Sequence, residues 1–357
     1  MDTPELWISL CSDTEDNHPT YVPGWSEQGS IYDTNPAIIR YEWTRYWRDL
    51  SEFFQRLKIP ITWLLRVDDG PIYDTMLRRF KRKIFDLKSC GDEIGIHIHT
   101  FFFDEDSKIW RQTRDSEHEA NIVRRSITYF RRILGFTPCS VRMGWNAMSN
   151  KIMEILDKEG LIVDASGIPG NYCEGKFSKR DNFYDWRIAP RDPYHPSYQN
   201  YQVPGKRRIL EMPISTSPGT NMMLTSFVNN LSSLKISHTL YRLVPFTTRF
   251  YVAPNPYFYI SPWWSTTNVD KIIEAHVKKA KKEGIAFLAG FFHSCDILSP
   301  TSRKNIYFLR NMNKVIDKIL EIEGVRLRFS TLAQTVSKYN ESYDDMSSWS
   351  DNSDCKS

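Results

Sequence analysis

Glu93-Ile94-Gly95-Ile96-His97-Ile98-His99 reads as a strand that ends in chemistry. Side chains alternate faces along a strand, so the two imidazoles point one way while Ile96 and Ile98 point the other. On either side the pattern changes, because residues 73–88 and 115–134 carry apolar side chains at the three- and four-residue spacing of helices. The same alternation runs outward to both ends of the chain. Short apolar runs rich in branched residues occupy 6–11, 59–65, 140–143, 161–165, 209–214, 285–292 and 325–329, and helical periodicity fills 38–57, 149–158, 269–282 and 303–322. Repeated β-α units predict an α/β fold with a largely parallel sheet, and eight strands suggest closure into a (β/α) barrel. Ser149 before Ile152, and Thr267 or Asn268 before Val269, are expected N-caps, while Gly135, Gly160 and Gly284 follow helices where a left-handed cap is wanted.

Two stretches break the alternation, 16–36 and 169–206, both rich in Pro, Gly, Tyr, Asn and Asp. Long irregular segments inside a compact domain usually cover binding sites. Trp186, Tyr194, Tyr198 and Tyr201 lie in the second of them, where they either stack on sugar rings or pack over the barrel mouth. Residues 220–256 hold a mixed apolar segment without a clear period. A single catalytic barrel domain is expected over 1–340, followed by a disordered tail at 341–357 rich in Ser, Asp and Asn.

The 357 residues carry 47 basic and 43 acidic side chains, too balanced to imply a nucleic-acid partner. Basic clusters at 78–83 and 278–282 read as solvated helix faces. The six cysteines show neither CxxC pairing nor an even framework, which argues against a zinc-thiolate site and fits reduced thiols. The first residues are acidic and polar, with no basic stretch leading into a long apolar one, and no apolar run approaches the length of a membrane span. A cytoplasmic protein without a transmembrane segment is expected; nothing in the sequence fixes its oligomeric state.

In a β/α barrel the catalytic groups sit where strands end and loops begin. The first apolar run ends in Ser12-Asp13-Thr14-Glu15-Asp16, which places carboxylates at one mouth. Val141-Arg142-Met143-Gly144-Trp145 carries a guanidinium, and the run at 285–292 ends in His293-Ser294. Two histidines on one face near a strand-end carboxylate make an open divalent-metal site, with positions left for water and a substrate oxygen. That composition suits hydrolysis. Ser166, Ser294 and Thr100 do not compose a serine hydrolase, because no glycine-flanked nucleophile elbow is present.

Taken in order, these motifs resemble the polysaccharide deacetylase family of metal-dependent carbohydrate esterases, over roughly residues 5–300. Ser9-Leu10-Cys11-Ser12-Asp13-Thr14-Glu15 is similar to the family's first motif, Gly91-Asp92 with the stretch through His99 to its second, and Phe136-Thr137-Pro138-Cys139-Ser140-Val141-Arg142 to its third. Leu156 with Gly160-Leu161-Ile162-Val163-Asp164-Ala165-Ser166 resembles the next strand, and Glu211-Met212-Pro213 and Phe291-Phe292-His293-Ser294 the late motifs. The resemblance implies a distorted (β/α) barrel, a divalent metal (zinc, or cobalt or nickel) and a carbohydrate substrate. The reaction it implies is removal of an N-acetyl or O-acetyl group from a sugar or glycan precursor. By position, Asp13 is the implied base, Arg142 holds it ionised, His293 is the acid and His97 the first metal-binding histidine.

The chain departs from the family at two places. Thr14 stands where a second adjacent carboxylate is usual, so either Glu15 supplies that ligand or Asp13 itself binds metal. Phe101 stands four residues after His97, where the family has its second histidine, so His99 supplies the second nitrogen. Val67-Asp68-Asp69-Gly70-Pro71 copies the usual first motif but follows the second strand, and reads as a turn opening a helix, with Asp68 reaching the site. Trp145, Tyr194 and His195 join Asp68 as expected substrate contacts, and Asp164 and Glu211 as residues that orient Arg142 or a histidine. Two other functions stay open: a carbohydrate-binding relative without turnover, and hydrolysis of another carbon–nitrogen bond such as that of a cyclic amide or ureide.

Overall fold

A computed structural model describes residues 3–14, 36–67, 77–78, 80–104, 109–173, 183–217, 256–260, 266–297 and 306–350. All eight expected strands are among them: β1 (Glu5–Thr14), β2 (Ile61–Arg66), β3 (Glu93–Ile98), β6 (Ser140–Met143), β7 (Val163–Asp164), β10 (Leu210–Glu211), β11 (Ile285–His293) and β12 (Arg326–Phe329). Two short hairpins, β4 (Phe101–Asp104) with β5 (Ile109–Gln112) and β8 (Tyr172–Cys173) with β9 (Tyr184–Asp185), were not expected. The helices are α1 (Pro36–Leu57), α2 (Lys81–Ser89), α3 (Ser116–Leu134), α4 (Asn150–Lys158), α5 (Thr267–Glu283), α6 (Ile306–Leu320) and α7 (Leu332–Ser350).

The eight strands form one parallel sheet in the order β10-β7-β6-β3-β2-β1-β11, with β12 off that path against β1. From Glu5 to Asp13 β1 pairs β11; its other edge pairs β12 at Glu5 to Ile8 and β2 from Leu10 onward. β12 therefore lies beneath β2 and plugs the lower half of the wall. Every residue of β2 is buried, as a strand with helices outside and barrel core inside must be.

Among the described residues, closure between β11 and β10 is made by irregular backbone. Ser215 N donates to Ala289 O at 3.0 Å and Ala289 N returns a bond to Ser215 Oγ at 3.0 Å. Phe291 N donates to Phe258 O at 3.1 Å and Ile260 N to Phe291 O at 2.9 Å, while Phe258 N reaches Ser215 O at 2.8 Å. The ring is thus completed by bridges too short to be strands, which makes the barrel distorted.

Helix ends follow local chemistry. Ser149 caps α4 by accepting from Ile152 N at 3.1 Å, and Asp115 caps α3 by accepting from His118 N at 2.7 Å. Helix α5 starts instead after Thr266, whose side chain makes no cap bond. Gly135 and Gly284 take the left-handed caps expected of them, at φ 83° and 84°. Helix α7 extends through Ser350, well into the stretch from 341 expected to be a disordered tail. Its first turns are anchored by buried Leu332, Thr335 and Val336, and a formed helix propagates through polar residues at little cost. The segment at 169–206 is a packed layer where it is described: Trp186, Tyr194 and Tyr201 are buried, and only Tyr198 of the four aromatics is exposed.

Candidate active site

Asp13 is the penultimate residue of β1 and stands in register beside His293, the last residue of β11. Neighbours in register point to the same face, and His293 Nε2 lies 3.8 Å from Asp13 Oδ2. Arg142 comes from β6, three strands away in the sheet order, and its Nε reaches the same Oδ2 at 3.2 Å. A contact between strands so far apart requires the sheet to curl, so the fold itself brings carboxylate, guanidinium and imidazole together. The guanidinium stacks over Phe291 of β11 at 3.6 Å and donates from Nη2 to Asn146 Oδ1 at 3.1 Å.

His97 is in register with Arg142, and its Nδ1 lies 2.8 Å from the Arg142 carbonyl oxygen. That oxygen can only accept, so Nδ1 carries the proton and a neutral His97 turns a bare Nε2 inward. His99 Nε2 sits 3.0 Å from it, with the rings at 85°. Both histidines are buried and share a face, as strand alternation requires. Gly144 makes room for the second of them: a Cβ there would fall 2.4 Å from the His99 ring.

Behind Arg142, Asp164 and Glu211 are register neighbours on β7 and β10 with no exposure. Asp164 Oδ1 accepts from Ser166 Oγ at 2.5 Å, and Glu211 Oε1 accepts from Gly167 N at 2.9 Å. Burial, reinforced by the charge of Asp164, pushes the Glu211 carboxyl well above the usual carboxylate range, and burial raises Asp164 as well. The Arg142 guanidinium works against both shifts, favouring the charged forms.

Of the substrate contacts expected from sequence, Trp145 lies at this mouth, half-buried, in a turn where it and Asn146 both take positive φ, 57° and 55°. Such backbone is costly for a residue other than glycine and clusters at functional sites. Trp186 Nε1 holds the turn by donating to Asn146 O at 2.8 Å. Tyr194 is buried with its hydroxyl donating to Tyr201 O at 2.9 Å. His195 runs antiparallel to β10, towards the start of that strand, with ring nitrogens 3.2 Å from Ile209 O and 3.1 Å from Asn340 Oδ1. Neither joins the Asp13 cluster. Glu15, Asp68 and the turn at 69–71 lie outside the described residues.

Four site residues escaped the sequence reading. Arg66 ends β2, is buried and is in register with His97, so the strand-end rule finds it. Asn146 follows a strand by a turn, Asp296 lies in the 3-10 turn Ser294–Ile297 after β11, and Tyr259 comes from the closing bridge.

Among the described residues no three His, Cys, Asp or Glu side chains converge as a metal cluster. The donor pair nevertheless fits a cation. Two nitrogens each about 2.1 Å from one ion lie about 3.0–3.4 Å apart for ligand angles from about 90° to 109°, and the two Nε2 atoms are 3.0 Å apart. The His97 Nδ1–H bond to a carbonyl is also the outer contact that ligating histidines usually make.

No protein-family profile and no characterised protein matches the sequence. Solved structures match the fold. A protein assigned as a polysaccharide deacetylase from Mycobacterium smegmatis aligns at 11% identity and TM-score 0.50, over 96% of this chain and 92% of its own. One so assigned from Pseudomonas aeruginosa PAO1 aligns at 11% and 0.51, over 94% and 91%, and Puue allantoinase at 13% and 0.51, over 95% and 91%. With a parallel sheet curled so that β1, β6 and β11 share one mouth, the chain has the distorted (β/α) barrel fold of these structures.

Proposed function

We propose that the chain is a hydrolase that removes acetyl groups from an N-acetylated, or O-acetylated, sugar or glycan precursor. The observation that carries the proposal is Asp13 Oδ2 between Arg142 Nε at 3.2 Å and His293 Nε2 at 3.8 Å, a carboxylate and an imidazole side by side at the strand ends. Asp13 takes a proton from the attacking water, and His293 gives one to the departing nitrogen or oxygen as the carbonyl bond to it breaks, leaving acetate and a free amine or hydroxyl. Arg142 fixes the Asp13 carboxylate, and Trp145 offers an aromatic face to the sugar. His97 and His99, with Glu15, are the proposed holders of a divalent ion, zinc or else cobalt or nickel, which when bound would polarise the carbonyl and acidify water. A cytoplasmic setting is supported by free thiols at Cys11, Cys90 and Cys139.

Elemental analysis of the purified protein beside a His97→Ala, His99→Ala double variant tests the site, and acetate release from acetylated sugars tests the reaction. One ion per chain in the wild type, lost in the variant, with acetate released, is expected. Binding of acetylated sugars with neither a bound ion nor acetate release would leave a carbohydrate-binding protein. The likeness to an allantoinase gives a second substrate class, so cyclic amides and ureides belong in the same screen; turnover of those alone would replace the sugar reading.

A further inference from the structure

We infer that Tyr259 and Asp296 are positioning residues that fix the tautomer of His293, keeping a proton on Nδ1 so that Nε2 is the nitrogen that exchanges protons at the site. The inference deepens the proposed hydrolase reading, in which His293 is the acid. Asp296 lies three residues beyond His293 in the turn that ends β11, and is 7% exposed. Tyr259 donates its hydroxyl proton to Asp296 Oδ2 at 2.7 Å. A phenol has one proton to give, so its oxygen faces His293 Nδ1, 3.1 Å away, as an acceptor. Asp296 Oδ2 is itself 3.5 Å from Nδ1. Both neighbours on that side are therefore acceptors, the phenol oxygen within hydrogen-bond distance of Nδ1, and the nitrogen turned towards Asp13 is Nε2.

The platform that imposes this is rigid. The Tyr259 ring stacks on Phe291 at 4.7 Å and 14°, and stands perpendicular to His293 at 5.3 Å and 90°. Its backbone is bracketed by the bonds of Phe258 and Ile260 to Phe291, so phenol and imidazole are carried on two paired segments. An acid acts from the imidazolium, which carries a proton on each nitrogen. With Nδ1–H held by its acceptors, the proton given up is the one on Nε2, and a carboxylate beside Nδ1 stabilises the imidazolium that precedes the transfer.

The tautomer is read directly from long-range proton–nitrogen correlation spectra of the full chain labelled with nitrogen-15 histidine, at a pH where the ring is neutral. Assignment of His293 comes from the signal lost in His293→Gln. The wild type should show Nδ1–H, and Tyr259→Phe and Asp296→Asn should each admit a substantial Nε2–H population while melting near the wild type. In turnover assays both variants should lose about 10- to 100-fold in kcat, with KM changed by less than about 3-fold. Neither should lose more in a His293→Ala background. An Nε2–H wild type, or a tautomer unmoved in both variants, overturns the inference. The spectra need no turnover, so the absence of any hydrolysis would remove the hydrolase reading and leave the tautomer assignment standing or falling by itself.

Discussion

Arg142 is only 2% exposed, and its partners make a buried guanidinium tolerable: Asp13 at Nε, Asn146 at Nη2 and the face of Phe291 beneath it. Removing one member of a buried ion pair strands the other, at a cost of about 3–5 kcal/mol. Arg142→Met should therefore destabilise the fold by that order in urea titration, whereas Arg142→Met with Asp13→Asn should cost less than the sum of the two single changes. Strict additivity would mean that the two groups are not coupled. Gly144→Ala addresses the histidines. Its Cβ would sit 2.4 Å from the His99 ring, so His99 has to move and the 3.0 Å approach to His97 opens. The expected result is metal binding weakened by about 10- to 100-fold with thermal stability changed far less; unaltered metal content would remove His99 from the ligand set. Asp13, Arg142 and His293 were legible because strand ends are where barrels keep their chemistry, and His97 with His99 because a two-residue spacing fixes a shared face. Asn146, Tyr259 and Asp296 were not, since each reaches the site through a turn or a chain crossing whose direction no local period encodes.

The strands and outer helices were readable because apolar period and burial agree: β3, β6 and β11 lie almost where their apolar runs lie. β7 and β10 shrank to two residues each because their ends leave the ladder for irregular bridges, and α7 was missed because Ser, Asp and Glu dominate its later turns and mask the helical period. Between α3 and α4 the packing includes a buried carboxyl, Glu119, which accepts from Ser149 Oγ at 3.0 Å. Burial pushes its pKa up to about 7, with the charge of Asp115 adding to the rise and the Ser149 bond opposing it. Because the folded-state pKa lies above the unfolded one, the folded chain binds the proton more tightly. Stability is fully present below the ordinary carboxyl range and falls as pH rises towards about 7. Glu119→Gln, which keeps the shape of the protonated acid, should match the wild type near the acid end of that window. Above it the variant should be more stable by on the order of 1–2 kcal/mol, after solvent screening is allowed for. Melting curves across the window check this, and a variant less stable at every pH would show that the carboxylate contributes favourably.

At the scale of the whole barrel the weak point is the seam, because among the described residues the two edges of the sheet are joined by Ser215 and the 256–260 bridge rather than by a strand. On the β11 side of that seam, Gly290 is what lets the bridge approach: a Cβ there would meet the Phe258 ring at 2.8 Å. Backbone hydrogen bonds in a short, irregular bridge open at lower free energy than those of a long paired strand. β1 is held by β11 on one edge and by β2 and β12 on the other, so it should open only with the whole molecule. Gly290→Ala should therefore act on the seam alone. Amide hydrogen exchange of the variant should speed up at Ser215, Phe258 and Ile260, while the central amides of β1 and β2 keep the protection they have in the wild type. Since Tyr259 rides on the same bridge, His293 loses its phenol partner whenever the seam opens, and the variant's histidine spectrum should show the second tautomer in proportion to that opening. Uniformly faster exchange across β1, β2 and the bridge would instead mean that seam and sheet form one cooperative unit, with closure as strong as any strand pair in the wall.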